Sequence, residues 1–134
     1  MPGSFFDSNV PLYLAAGTSP KADRAEALLS KGGVISVQVL NEIANVGLRK
    51  FGMSMAQLDL FLAGIRGAMR TIPVSIEIHE LALEVRERHR FAFYDCAIVG
   101  AALYAECDTL WSEDMHDGLV IDGRLTIRNP FARV

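Results

Sequence analysis

Short apolar runs alternate with helix-compatible segments along almost the whole chain, and that alternation limits the fold more than any other feature of the sequence. Residues 3–7 read as a short buried strand ending at Asp7, followed by a loop holding Pro11, Gly17 and Pro20. A helix over 21–30 is stopped by Gly32-Gly33, and Val34-Ile35 open a second strand. Ser36 caps a helix running to about Lys50, Gly52 breaks it, and Ser54 caps another to about Arg70. Thr71 to Val74 read as a strand, and Ser75 caps a helix to about Arg90 with Glu77 and Glu80 near its positive end. A small-residue helix over 95–106, a strand at Thr109–Trp111, a tight hairpin at Asp122-Gly123 and a strand at Leu125–Ile127 complete the pattern. It predicts an α/β fold of three layers, α/β/α, with a mainly parallel central sheet. With 134 residues, no repeat and no long linker, one domain spanning 1–134 is the expected organisation.

Parallel sheets bind ligands at the carboxyl ends of their strands, so the residues just after each strand are the ones to inspect. Asp7 directly follows Phe5-Phe6. As a turn former it can bond the backbone near Asn9; as a site residue it stands at the functional edge. Glu42 lies three residues after Val39 and four before Val46, on or beside the apolar stripe that includes Ile43. A carboxylate there is costly unless it is paired, binds a metal, or reaches out to water from the rim. Asp95 precedes Ile98, Val99 and Ala102 and can cap that helix; capping and metal binding are compatible. Asp114 and Asp117, three apart after the Trp111 strand, share one side of a helical turn or belong to a solvated acidic loop.

Taken together, these acids can meet at one edge of a parallel sheet. Unneutralised, they would raise one another's pKa, and an all-oxygen cluster suits a hard cation such as Mg²⁺ or Mn²⁺. The net charge of −3 leads to the same expectation. A chain that holds nucleic acid by its own surface is normally more basic, so an anionic partner requires a local basic patch or a bound cation. Arg86, Arg88, His89 and Arg90, with Arg49-Lys50, are candidate phosphate contacts, or simply favourable charge at helix carboxyl ends. Cys96 and Cys107 lack metal-ligand spacing and read as buried reduced thiols of a cytoplasmic protein. No apolar run is long enough to span a bilayer, so no membrane association is expected.

The segment Phe5-Phe6-Asp7-Ser8-Asn9-Val10 resembles the opening of PIN domains. Ser36-Val37-Gln38-Val39-Leu40-Asn41-Glu42 is similar to that family's second acidic segment, and Phe93-Tyr94-Asp95-Cys96-Ala97-Ile98-Val99 to its third. Thr109-Leu110-Trp111-Ser112-Glu113-Asp114-Met115 resembles the fourth, and Asn129-Pro130-Phe131 a common bacterial ending. The resemblance covers essentially the whole chain. It implies a metal-dependent ribonuclease like the VapC toxins of bacterial toxin–antitoxin pairs. In that reading Asp7, Glu42, Asp95 and Asp114 are the catalytic acids, with Asp7, Asp95 and Asp114 on the metal. Asp117 is an accessory acid, and Ser8 and Asn9 support the first acid. Ser8 replaces the more usual Thr, and His116-Asp117-Gly118 departs from the aromatic that often closes the fourth motif.

Two rival functions follow from the same residues. A phosphatase using Asp7 as phosphoryl acceptor lacks its second acid, because Asn9 occupies that position. A non-catalytic RNA-binding or interaction module would be favoured by loss of a site acid, yet all four are present. The resemblance further implies an RNA substrate, a cognate antitoxin and a homodimer. Ala25, Leu28, Leu29, Leu58, Phe61, Leu62 and Ile65 are the apolar residues expected to supply an exposed partner surface, unless they face the sheet.

Overall fold

The computed structural model describes residues 3–134. Six strands form one sheet in the order β3-β2-β1-β4-β6-β5, with β1 Ser4–Phe6, β2 Val34–Ser36, β3 Arg70–Ile72, β4 Thr109–Trp111, β5 Val120–Ile121 and β6 Leu125–Arg128. Every pairing is parallel except β5 with β6. The helices are α1 Asn9–Leu12, α2 Pro20–Leu29, α3 Val37–Arg49, α4 Met55–Ala68, α5 Ile76–His89 and α6 Phe93–Tyr104, with a 3-10 turn at Tyr13–Ala15. The result is the expected three-layer α/β/α arrangement. Phe5, Phe6, Ile35, Leu110 and Ile127 are fully buried, as strands covered on both faces require.

Local chemistry sets most boundaries. Ser36, Ser54 and Ser75 each accept a hydrogen bond from the backbone N–H three residues on, and Gln57 completes a capping box with Ser54. Asp122 and Gly123 adopt positive φ of 53° and 64°, and Arg124 N–H donates to the Ile121 carbonyl at 3.0 Å, making the expected hairpin. Three boundaries differ from expectation. β3 ends at Ile72 instead of Val74, because Pro73 has no N–H to continue the ladder. α6 begins at Phe93, so Asp95 is in its first turn and the cap position falls to Ala92, which makes no side-chain cap. Part of the loop expected after Asp7 is helical, with Pro11 tolerated in the first turn of α1.

The sheet order places the functional edge. From β1 the chain builds outward to β2 and β3 on one side, while β4 lies on the other. The carboxyl ends of β1 and β4 thus flank a switch point, where an open parallel sheet leaves a crevice.

The crossing into β2 is tight. A Cβ on Gly33 would stand 2.7 Å from both Phe6 Cε2 and the Ser4 carbonyl oxygen, whereas one on Gly67 would meet nothing within 4 Å. We expect Gly33→Ala to lower unfolding free energy by about 1–3 kcal/mol. Gly67→Ala should leave it unchanged or raise it by up to about 1 kcal/mol. Urea denaturation of both variants is the check.

Candidate active site

Asp7 extends β1, its N–H donating to the Trp111 carbonyl at 3.0 Å, and its side chain is only 5% exposed. The buried carboxylate accepts from Ser8 N–H at 2.8 Å, the Ser112 hydroxyl at 2.8 Å and Asn9 Nδ2 at 3.3 Å. Asn9 Nδ2 also reaches Asp114 Oδ2 at 3.1 Å, and Asn9 Oδ1 accepts from Glu113 N–H at 3.2 Å, so one amide ties β1 to the loop after β4. On the other side, the Ser8 hydroxyl donates to Glu42 Oε1 at 2.8 Å. Gln38, one turn before Glu42 on α3, donates to Glu42 Oε2 and to the Tyr94 carbonyl, both at 3.1 Å, which joins α3 to the start of α6 where Asp95 lies. One hydrogen-bonded chain therefore runs Asp114–Asn9–Asp7–Ser8–Glu42–Gln38–Tyr94.

The electrostatics are unbalanced. Burial pushes the Asp7 carboxyl up to about 6; hydrogen bonds from Ser112 and Ser8 resist, and the charges of Glu42 and Asp95 add to the rise. Asp95, half-buried, is also raised, first by burial and then by Glu42 and Asp114. Among the described residues none of these four acids takes part in an ion pair. The nearby cation Lys21 is already committed: its ammonium is 2.7 Å from Glu113 Oε2, while Tyr13 donates to Glu113 Oε1 at 2.6 Å. Burial pushes Glu113 up, yet these two partners outweigh it and hold the carboxyl below its ordinary value. Glu113 thus belongs to a neutralised pair beside the cluster.

Among the described residues no three His, Cys, Asp or Glu side chains are drawn tightly enough to hold an ion as they stand. The donors nonetheless have the chemistry of a hard-cation site. They are carboxylate oxygens, those of Asp7 and Asp95 raised in pKa by burial and then by acidic neighbours, and a divalent ion is the species that would stabilise their charged forms. A cleft of about 420 Å³, bordered by Asn9, Tyr13, Lys50, Phe51 and Asp114, opens beside them.

The structure links Asp7, Ser8, Asn9, Glu42 and Asp114 by direct hydrogen bonds and brings Asp95 within electrostatic reach. Asp117 is different. Of the two arrangements open to it, the segment 112–118 takes the loop and not the helical turn, and Asp117 Oδ1 accepts from Asn129 N–H at 2.9 Å. Sequence reasoning missed Ser112 and Gln38. Ser112 was marked only by being a small hydroxyl residue just after a central strand, and Gln38 by preceding Glu42 at the i, i+4 spacing. Two candidate phosphate contacts are occupied elsewhere. Arg86 Nη1 donates to the Arg90 and Phe91 carbonyls at the end of α5, and Arg88 pairs with Asp122.

Residues 4–116 match the family model of the PIN domain. No curated protein matches the chain by sequence. Solved structures do resemble it. A toxin–antitoxin complex from Klebsiella pneumoniae superposes with TM-score 0.73 at 21% identity, over 95% of this chain and 97% of that one. VapBC2 from Rickettsia felis, bound to a promoter DNA fragment, gives 0.69 at 19% identity over 94% and 97%. The sarcin-ricin-loop-cleaving toxin VapC20 of Mycobacterium tuberculosis gives 0.65 at 19% identity over 80% and 86%. At these identities the likeness is one of fold.

The raised Asp7 has a measurable consequence without any ligand. Its folded pKa, about 6, exceeds the ordinary value of 3.8, so the folded state holds the extra proton between those values. Stability is therefore greatest below that window and falls as pH rises through it, by on the order of 3 kcal/mol from Asp7 alone. In metal-free buffer, chemical denaturation should show this decline from about pH 4 to about pH 6.5. Asp7→Asn should flatten it and be at least as stable as the parent at neutral pH.

Proposed function

The chain belongs to the PIN-domain family, and from that premise we propose that it is a divalent-metal-dependent endoribonuclease, the VapC-like toxin of a bacterial toxin–antitoxin pair, working as a single domain in the cytoplasm. The observation that carries the reading is the Asp7 carboxylate, raised by burial and by Glu42 and Asp95 and lacking a basic partner. Such an arrangement costs stability in isolation and makes chemical sense around a cation.

In this reading Asp7, Asp95 and Asp114 hold Mg²⁺ or Mn²⁺, directly or through water. The bound ion supplies Lewis-acid charge at the phosphate and a lowered pKa for an attacking water. Ser8, Asn9 and Ser112 hold Asp7 in place, and Asn9 spans from it to Asp114. Glu42, fixed through both oxygens by Ser8 and Gln38, keeps free lone pairs with which to orient water. Asp117 is an accessory acid that acts through the loop, its contact with Asn129 holding the segment that carries Asp114. RNA is the substrate that fits best, a reading supported by the M. tuberculosis toxin of like fold, which cleaves the sarcin-ricin loop.

Of the seven apolar residues expected to be exposed, Ala25, Leu28, Leu29, Leu58 and Ile65 are buried, so α2 and α4 use most of them on the core. What remains is a groove of about 330 Å³ between these helices, lined by Leu29, Leu60, Phe61 and Ile65, with Leu60 77% exposed. An apolar antitoxin segment suits that groove, and an antitoxin arginine reaching the acids would substitute for the cation's charge. The toxin–antitoxin complexes of like fold support this reading. A homodimer is supported by Met55, Ile76 and Leu83, each at least half exposed.

Asp7→Asn and Asp95→Asn should each reduce RNA cleavage by about 100-fold or more in Mg²⁺ or Mn²⁺ while remaining folded, and EDTA should abolish parental activity. Cleavage that survives EDTA or both substitutions contradicts the metal mechanism. A readout independent of activity is thermal unfolding: Mn²⁺ should raise the parental Tm and leave Asp7→Asn unmoved. Light scattering at micromolar concentration should give a dimer mass; a monomer mass throughout would remove the dimer and leave the nuclease reading standing.

A further inference from the structure

Arg24, Arg128 and Arg133 line a cavity of about 660 Å³ that Asp117 and Gly118, from the loop carrying Asp114, also border. It lies among α2, the carboxyl ends of β4 and β6, and the C-terminal segment. Arg24 is held in place: its Nε donates to the Pro130 carbonyl at 3.2 Å and its guanidinium lies 5.8 Å from the centre of the Trp111 ring. Trp111 is itself fixed by donating from Nε1 to Ser4 Oγ at 3.1 Å. Arg128 sits beside Trp111 in the β4–β6 register. Among the described residues none of the three arginines is in an ion pair. Asp117 contributes a carboxylate to the wall, its Oδ1 engaged by Asn129 N–H, and Val134 with its terminal carboxylate borders the cavity as well.

Three guanidinium groups around one open cavity repel each other unless an anion joins them, and Arg forks match phosphate oxygens in geometry. The chain carries −3 net, yet three guanidinium groups gather here and, among the described residues, none is in an ion pair, which makes this cavity a local concentration of positive charge. The cavity also adjoins the loop that serves the acids. The 112–118 loop presents Ser112 and Asp114 to the acid cluster, while Asp117 forms part of the arginine cavity. An anionic strand leaving the acids across this loop arrives among the arginines.

We propose that the Arg24–Arg128–Arg133 cavity binds the phosphodiester backbone of the RNA beside the cleavage point, tethering the strand while the acids cut it. This rests on the nuclease reading above, and deepens it by giving the substrate a second point of attachment. Arg24, braced by Trp111 and Pro130, is the preorganised contact; the exposed Arg128 and Arg133 close on the strand.

The test is fluorescence anisotropy of a labelled single-stranded RNA oligonucleotide with the full chain in EDTA, across a salt series, with steady-state cleavage in Mg²⁺ measured alongside. Arg128→Ala/Arg133→Ala replaces exposed residues, and circular dichroism confirms its fold. It should weaken binding roughly tenfold at low salt and lower the slope of log affinity against log salt by about 0.7 for each phosphate no longer neutralised. Cleavage should show KM raised by a similar factor with kcat unchanged. Arg66→Ala, an exposed charge on α4, should change neither affinity nor slope. The proposal is overturned if the double variant binds RNA as the parent does, including the case where it loses only affinity for an acidic peptide. An equal loss in Arg66→Ala overturns it too, because the effect would then be the general field of the chain. Should the parent bind RNA through these arginines yet cleave none in Mg²⁺ or Mn²⁺, the nuclease reading fails and the cavity assignment stands.

Discussion

A buried carboxylate at the junction of β1 and β4 is the constraint on which the rest of the site depends. Asp7 is almost wholly cut off from water, so its lone pairs must be satisfied by protein, and the three donors come from Ser8, Asn9 and Ser112. Two of these follow Asp7 in sequence; the third arrives from more than a hundred residues away because β4 pairs directly with β1. The parallel pairing and the acid's solvation are thus one requirement. If β4 shifted by one residue relative to β1, Ser112 would turn to the opposite face and Asp7 would lose its hydroxyl partner.

From that anchor the network spreads by residues with two things to bond. Ser8 gives its N–H to Asp7 and its hydroxyl to Glu42; Asn9 connects Asp7, Asp114 and the Glu113 backbone; Gln38 connects Glu42 with the start of α6. These bonds fix positions without cancelling charge. The fold therefore holds several carboxylates close together, and burial first, then the charges of their acidic neighbours, raises Asp7 and Asp95. Structures retain such shifts where function uses them. Glu113, next in sequence to Asp114, provides the internal contrast, because Lys21 and Tyr13 neutralise it and its carboxyl falls below the ordinary value.

Much of this was legible in the sequence, and the exceptions have physical causes. Helix starts were readable because Ser36, Ser54 and Ser75 make local caps, and the acids were readable because each stands next to an apolar strand or stripe. The start of α6 was not, since Ala92 offers no side-chain signal, and the four-residue α1 is too short to show a period. The roles of α2 and α4 differ from expectation for another reason. Composition counts apolar residues but does not say how many the sheet consumes, and the core takes five of the seven expected outside. The arginine cavity was invisible because Arg24, Arg128 and Arg133 meet only through the β4–β6 register and the return of the C-terminal segment over α2.

In the proposed function these acids make one cation site. Anomalous diffraction from crystals of the full chain grown with Mn²⁺ tests it most directly. A manganese peak bounded by the carboxylates of Asp7, Asp95 and Asp114 is the expected result. A map with no peak there at millimolar Mn²⁺, or with its only peak away from Asp7, would contradict it.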